Sequence, residues 1–174
     1  MINYLKGDAT DPIKKPAIIV HVCNNKGGWG KGFVLALSAK WKEPEAAYRE
    51  WYKHRGDSFD DKHVLDVECL FVDSKKFKLG SVQLVRVEKD LWVANMIAQD
   101  GFKRKGDPEG AVYLTYGSLK TALDRVASFA AVVSDGITIH MPRRGCGLAG
   151  GTWDTVEEVL ESCKLPDVYV YDFD

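Results

Sequence analysis

The sequence contains no apolar stretch long enough to cross a membrane. Its longest apolar runs, AIIV at 17–20 and SFAAVV at 128–133, fall well short of the roughly 18 residues that a membrane-spanning helix needs. The first residues, MINYLKGDATD, carry charges early and lead into no apolar segment of the kind found in secretory signals. We therefore expect no membrane partner and no secretory signal.

Cysteine is sparse as well. The four cysteines are far apart, at Cys23, Cys69, Cys146 and Cys163, and they form neither a CxxC pair nor the Cys/His spacing of a zinc site. This pattern is typical of reduced thiols in the cytosol, so we predict a cytoplasmic location. We predict no metal site and no cofactor.

The chain also has almost no net charge. It holds 24 Lys and Arg against 25 Asp and Glu, for a formal net charge of −1. A protein that binds nucleic acid by neutralising many phosphates would be basic, so this class is disfavoured. Small anionic ligands remain compatible, because local hydrogen-bond donors can bind them without a global charge.

What the sequence does have is an alternation of strand and helix patterns. Its 174 residues, 45% of them hydrophobic, fit one domain over 1–174, in which the polar-ended segment 55–80 predicts an insertion with one edge strand, VECLFV. The alternation predicts an α/β fold around a mixed or largely parallel sheet. The other predicted strands are 2–5, 17–23, 81–88, 91–99, 136–142 and 167–173. The predicted helices are 32–41, 43–54, 111–130 and 152–163, the last with Thr152 as N-cap.

A glycine-rich loop follows the second predicted strand. Residues 22–33 read VCNNKGGWGKGF and lead into the first predicted helix. Glycines at such a turn let a ligand approach main-chain N–H groups at a helix N-terminus, which suits a phosphate or diphosphate. Neither the GxGxxG fingerprint nor the P-loop fits, because Phe33 or Leu35 stands at the third glycine and Gly32 follows Lys31. A plain tight turn is the alternative.

A second glycine loop favours the ligand interpretation. Residues 140–153, HMPRRGCGLAGGTW, again connect a predicted strand to a predicted helix. Two such loops at one sheet edge could hold a diphosphate between them, each with backbone donors.

Taken together, these segments resemble the macrodomains, a family that binds ADP-ribose. The resemblance rests on KGDAT, HVCNNKGGWGKGF, WVANMIAQ, MPRRGCGLAGGTW and VYVYDF, in this order along most of the chain. The sequence is most similar to the branch that contains ADP-ribose 1″-phosphate phosphatases and a terminal ADP-ribose glycohydrolase. The resemblance implies a three-layer α/β/α fold with a mixed central sheet.

The resemblance also implies roles for individual residues around ADP-ribose. Asp8 would accept a hydrogen bond from the adenine amino group and Ala9 would lie against the base, while Phe173, with Tyr171 behind it, would border the adenine. Purely structural roles are the alternatives, since Asp8 could cap a turn and the two aromatic residues could be ordinary strand residues.

The remaining implied contacts surround the diphosphate and the distal ribose. Asn24 and Asn25 would face the distal ribose, or they could be turn formers. One side of the diphosphate and ribose would be wrapped by Gly28, Gly30, Lys31 and Gly32. The other side would be formed by backbone N–H groups of Gly145, Cys146, Gly147, Leu148 and Ala149.

Catalysis is predicted at His21 and Asn25. His21 resembles a histidine of the phosphatase branch and could act as nucleophile or general acid/base, because imidazole titrates near neutral pH; it could equally be a hydrogen-bonded core histidine. The resemblance to the glycohydrolase branch implies a catalytic lysine near Ala98–Gln99, but this segment holds no amine, so a lysine-based mechanism does not fit. Asp100, next to this segment, is an alternative general base. Trp29 could be a lid over the ligand or a shield for the loop.

The predicted function is binding of ADP-ribose or a derivative with hydrolysis of a distal-ribose adduct. The adduct would be a 1″-phosphate or an ADP-ribosylated macromolecule. The alternatives are a non-catalytic module that binds ADP-ribose or another NAD metabolite, and an α/β domain for a different phosphorylated small molecule.

Overall fold

The computed structural model describes residues 1–55, 67–144 and 150–173. Within these residues the chain forms one seven-stranded sheet and four helices. In chain order the elements are β1 (Ile2–Lys6), β2 (Ala17–Asn24), α1 (Phe33–Lys40), α2 (Glu43–Lys53), β3 (Glu68–Phe71), β4 (Val82–Glu88), β5 (Leu91–Gln99), α3 (Tyr116–Val133), β6 (Thr138–Pro142), α4 (Trp153–Ser162) and β7 (Val168–Asp172).

The sheet is mixed, with the order β1-β7-β6-β2-β5-β4-β3. The first five strands in this order pair in parallel, and β4 and β3 add an antiparallel edge. The carboxyl ends of the parallel strands therefore lie at one edge, where ligands gather in open α/β sheets.

Two apolar cores lie on the two faces of this sheet. Side chains alternate along β2, so Ile18 packs into the core under α3 and α4, whereas Ile19 packs into the core under α1 and α2. Burial on both faces explains the unbroken apolar run of this strand. The predicted three-layer α/β/α fold with a mixed central sheet is confirmed.

Most predicted elements are confirmed in place. The segment VECLFV contributes the edge strand β3, and the two strands joined at Lys89–Asp90 form an antiparallel pair. Thr152 stands at the N-cap of α4, but its hydroxyl lies 3.0 Å from the hydroxyl of Thr155 and does not cap the backbone. Among the described residues, none of the helices combines the length and the apolar character needed to span a membrane.

The prediction of a helix from residue 111 is wrong at its start. Helix α3 begins at Tyr116, because the preceding residues bond to the end of β5 instead. The Asp100 N–H donates to the Tyr113 carbonyl (2.8 Å), and the Thr115 N–H donates to the Ala98 carbonyl (2.8 Å). This pairing places residues 111–115 beside the carboxyl edge of the sheet.

Candidate functional site

A cleft of about 990 Å³ opens at the carboxyl end of β2. Residues 21–24 at the end of this strand form its floor, and residues 28–34 of the glycine loop and α1 form one wall. The opposite wall comes from the connection between β5 and α3, and Arg49 and Gly150 complete the lining. The volume lies at the upper end of the usual range for ligand sites.

Asn24 shapes the glycine loop through its side chain. Its Oδ1 accepts hydrogen bonds from the N–H groups of Lys26 (2.9 Å) and Gly28 (3.0 Å), and its Nδ2 donates to the Gly28 carbonyl (3.0 Å). The Tyr48 hydroxyl, in turn, donates to the Asn24 carbonyl (2.6 Å). Asn24 is thus a turn former in this structure, and its contact with a distal ribose stays a prediction.

Two glycines of the cleft wall, Gly30 and Gly32, differ in whether the backbone conformation requires glycine. Gly32 has φ +82° and precedes α1, a conformation that other residues rarely adopt. Gly30 has no such backbone angle, and a Cβ built on it would meet no described atom within 4 Å. Nothing among the described residues therefore requires glycine at position 30, and none of them fills the space beside it.

The electrostatics of the cleft favour an anion. Its described lining includes Lys31, Arg49 and Lys103 and no carboxylate, while Arg49 pairs with Glu45 (2.9 Å) and Lys103 with Glu109 (3.4 Å) beside that lining. Helix α1 also begins at the cleft, and no side chain in the described part of the chain caps its N-terminus. The partial positive charge of this helix end adds to that of the basic side chains.

The wall between β5 and α3 is an ordered loop that carries Phe102. Asp107 Oδ2 accepts hydrogen bonds from the Arg104 N–H (2.9 Å) and the Tyr113 hydroxyl (2.5 Å). Both hydrogen bonds lower the pKa of Asp107 below its ordinary value, and the bond from Tyr113 is the larger cause. Phe102 lies against Gly28, 3.3 Å from a Cβ built there, and remains 36% exposed.

His21 lies beneath the cleft as a buried, neutral histidine. It is 2% exposed, its Nε2 lies 2.6 Å from Asn95 Oδ1, and its ring contacts Trp29 edge-on with centroids 5.4 Å apart. Burial lowers the pKa of His21 to about 4, partly offset by the bond to Asn95. The geometry matches a hydrogen-bonded core histidine that borders the cleft, and a catalytic role stays a prediction.

Asn25 lies next to the cleft and ties two strand ends together. Its Nδ2 donates to Asp100 Oδ1 (3.1 Å), and its Oδ1 accepts from the Gly101 N–H (2.9 Å). The side chain therefore fixes the start of the opposite wall. Its assignments to the distal ribose and to catalysis stay predictions.

The residues predicted around adenine lie at the same sheet edge but outside this cleft. Asp8 Oδ1 accepts from the N–H (2.8 Å) and hydroxyl (2.7 Å) of Thr10, and Ala9 is 3% exposed. Phe173, directly after β7, is 75% exposed, whereas Tyr171 is buried and its hydroxyl accepts from the Ile13 N–H (3.1 Å). Tyr171 is thus an ordinary core aromatic residue. The adenine contacts stay predictions.

Residues 145–149 of the second glycine loop fall outside the described residues. Its five predicted contact residues are Gly145, Cys146, Gly147, Leu148 and Ala149. The strand before it, β6, pairs in parallel with β2, and Gly150 just after it lines the cleft. The two loops therefore start from the same sheet edge, as predicted.

The sequence interpretation missed Phe102, Lys103 and Arg49 as lining residues. Lys103 lies in the loop that follows β5, whose carboxyl end neighbours that of β2. The strand order, which brings this loop to the cleft, is the information that the sequence interpretation lacked. Arg49 projects from α2 and left no pattern in the sequence. Among the described residues, no group of His, Cys, Asp and Glu could hold a metal ion.

Trp29 is a shield, because it is packed beneath the loop. It is 4% exposed, its Nε1 donates to Ser38 Oγ (2.8 Å), and its ring lies 5.4 Å from that of Tyr48. A lid would need the indole on the outer surface of the cleft. The shield alternative is therefore the one that this structure supports.

Comparison with known proteins gives relatives over the whole chain, although no family model matches it. A macrodomain protein from Streptomyces coelicolor is 44% identical, with a TM-score of 0.73 over 99% of this chain and 99% of that one. A protein of unknown function from Bacteroides thetaiotaomicron is 42% identical, with a TM-score of 0.74 over 99% of this chain and 98% of that one. An ADP-ribose 1″-phosphate phosphatase from Lodderomyces elongisporus is 26% identical over 177 residues, covering 99% of each chain.

Proposed function

This chain belongs to the macrodomain family, and from that premise we propose that it binds ADP-ribose at the carboxyl edge of the sheet and hydrolyses the bond between the distal ribose and an attached group. The substrate we favour is ADP-ribose 1″-phosphate, the compound in the names of several relatives whose alignments cover at least 92% of this chain. An ADP-ribosylated macromolecule is the other source of the same distal linkage.

The observation that carries this proposal is the open space at Gly30. A glycine that the backbone does not need lies in the wall of a cleft that holds basic side chains and a helix N-terminus. A diphosphate that approaches the main chain closely accounts for the missing side chain. The distal ribose would then lie over the floor formed by residues 21–24, with the adenine towards Asp8 and Phe173.

In this proposal His21 is the group that acts on the distal linkage. It borders the floor of the cleft and stays neutral near pH 7, because burial holds its pKa near 4. A neutral imidazole can accept a proton from an attacking water or attack phosphorus itself. Asn25, which holds the neighbouring wall in place, would support the site without metal or cofactor.

Calorimetric titration with ADP-ribose and with AMP tests the binding half of the proposal. We expect tighter binding of ADP-ribose, and a preference for AMP would contradict the macrodomain ligand. Release of phosphate from ADP-ribose 1″-phosphate, measured with the intact protein and with His21→Ala, tests the chemistry. We expect release by the intact protein and a fall of about 100-fold or more in the variant.

A second candidate function, a binding module without chemistry, has a specific observation in its favour. His21 exposes 2% of its surface, and the side chain of Asn24 is occupied by the glycine loop. ADP-ribose binding without release of phosphate or of a macromolecular adduct would favour this module over the hydrolase.

A further inference from the structure

A row of three polar side chains crosses the sheet beneath the cleft. His21 on β2, Asn95 on β5 and Gln83 on β4 are register partners on adjacent strands. All three are buried, with Asn95 and Gln83 at 0% exposure and His21 at 2%. Polar groups at such depth persist only when their hydrogen bonds are satisfied.

The row is anchored by main-chain carbonyls of α2, which can only accept hydrogen bonds. Gln83 Nε2 donates to the Ala47 carbonyl (3.0 Å), so Gln83 Oε1 must face Asn95. Asn95 Nδ2 donates to this oxygen (3.0 Å) and to the Pro44 carbonyl (3.1 Å). Both amide hydrogens of Asn95 are thereby used, and a flipped amide would set oxygen against oxygen at both contacts.

The orientation of Asn95 decides the protonation of His21. Asn95 Oδ1 lies 2.6 Å from His21 Nε2 and needs a donor there, so the hydrogen of the neutral ring resides on Nε2. The lone pair then resides on Nδ1. The Cys23 thiol lies 3.8 Å from Nε2 and 4.0 Å from Nδ1, so its sulfur does not select one nitrogen over the other.

We infer that Asn95, oriented by Gln83 and α2, is a positioning residue that locks His21 in the Nε2–H tautomer and so makes Nδ1 the ring atom that accepts a proton at the cleft. The inference deepens the proposed function and rests on it for its catalytic consequence. A proton taken by Nδ1 from an attacking water would pass to the ribose oxygen as its bond to phosphorus breaks. The ring would thus end in its starting state.

The tautomer is measured without any substrate. In ¹⁵N-labelled protein at pH 7, long-range ¹H–¹⁵N correlation spectra distinguish protonated from unprotonated ring nitrogens. We expect Nε2 of His21 to be protonated and Nδ1 to be unprotonated, with signals assigned by their loss in His21→Gln. A protonated Nδ1, or averaging between tautomers in the intact protein, overturns the inference.

Asn95→Leu tests the positioning role, with His140 as an internal control for folding. His140 is a second buried histidine on the adjacent strand β6, opposite Ile19, and it is bonded to Thr138 and Tyr171 rather than to any residue of the row. With the His140 signals unchanged, we expect His21 in Asn95→Leu to populate both tautomers. Phosphate release at saturating substrate should fall about tenfold or more, with the Kd for ADP-ribose within about twofold. A pure Nε2–H tautomer in a folded Asn95→Leu overturns the inference.

The two proposals fail separately. If the protein shows the Nε2–H tautomer but releases no phosphate and no macromolecular adduct, the proposed hydrolase activity is wrong and the positioning role of Asn95 still holds. If the protein hydrolyses its substrate with Nδ1 protonated, the hydrolase activity holds and the inference about Asn95 is wrong. If Asn95→Leu does not fold, the spectrum of the intact protein still decides the tautomer.

Discussion

Gly27 lies against the ring of Tyr52 so closely that a Cβ built on the glycine would come within 2.5 Å of ring atom Cδ2. Gly27 also has φ +80°. Gly30, three residues on, has neither constraint. The loop therefore contains a glycine that the fold needs and another that it does not, and the two can be tested separately.

Gly27→Ala should destabilise the protein by about 2–5 kcal/mol. The left-handed backbone angle costs about 1–2 kcal/mol for a residue with a Cβ, and the contact with Tyr52 adds overpacking of roughly 1–3 kcal/mol. Urea denaturation measures the loss, with Gly30→Ala as the matched control within about 0.5 kcal/mol of the parent protein. Equal stability of the two variants would contradict the assignment.

Gly30→Glu should weaken ADP-ribose binding by about tenfold or more and leave the unfolding midpoint unchanged. Its side chain would extend into the open cleft beside the diphosphate, so both its volume and its negative charge oppose the ligand. Calorimetric titration gives the Kd. Gly30→Gln, of similar size but uncharged, should have a Kd for ADP-ribose between those of the parent protein and Gly30→Glu. An unchanged Kd in Gly30→Glu would show that the diphosphate does not bind along this wall.

The fold and the family were predictable because they depend on patterns that repeat along the chain. Alternating buried strands and amphipathic helices gave the layers, and the ordered motifs from KGDAT to VYVYDF gave the macrodomain family. The start of α3 was not predictable from periodicity. Its helical spacing continues back to Leu114, but pairing with the end of β5 uses those backbone groups first.

Parts of the candidate site were hidden for a similar reason, since they depend on contacts across strands. His21 is two residues from Cys23 in sequence, yet its hydrogen-bond partner is Asn95, 74 residues away on the neighbouring strand. No local pattern distinguishes a catalytic histidine from one that is satisfied in this way. Register between strands, which the sequence alone leaves open, decides the partner.

Trp29→Ala should lower the free energy of unfolding by about 3–5 kcal/mol, the usual loss for a buried tryptophan. The indole is buried over Tyr48 and its Nε1 donates to Ser38 Oγ, which donates to Glu45 Oε1 (2.9 Å). Trp29→Phe keeps part of the packing and should cost less. A Trp29→Ala protein with parental stability and weakened ligand binding would revive the lid interpretation.

Phe102→Ala should weaken ADP-ribose binding about 3- to 10-fold while changing stability by less than about 1 kcal/mol. The ring is partly exposed and faces the cleft next to Gly28, so its truncation removes ligand contact area more than core packing. Calorimetry and urea denaturation measure the two effects. Val112→Ala on the same segment, at a 56% exposed side chain outside the described lining, is the control and should leave the Kd unchanged.

The stability of the protein should fall as the pH drops from about 6.5 to about 4. Burial lowers the pKa of His21 and of His140 to about 4 in the folded protein, whereas an unfolded histidine titrates near 6.5. Between these values the unfolded chain binds the protons that the folded protein excludes, so acid favours unfolding. Each fully buried histidine contributes about 1.4 kcal/mol per pH unit within this window and nothing further above it.

Urea denaturation at a series of pH values measures the slope of stability against pH. His21→Gln, whose amide can still donate to Asn95, should reduce that slope by about 1.4 kcal/mol per pH unit. Identical slopes in the two proteins would show that His21 does not stay neutral in the fold.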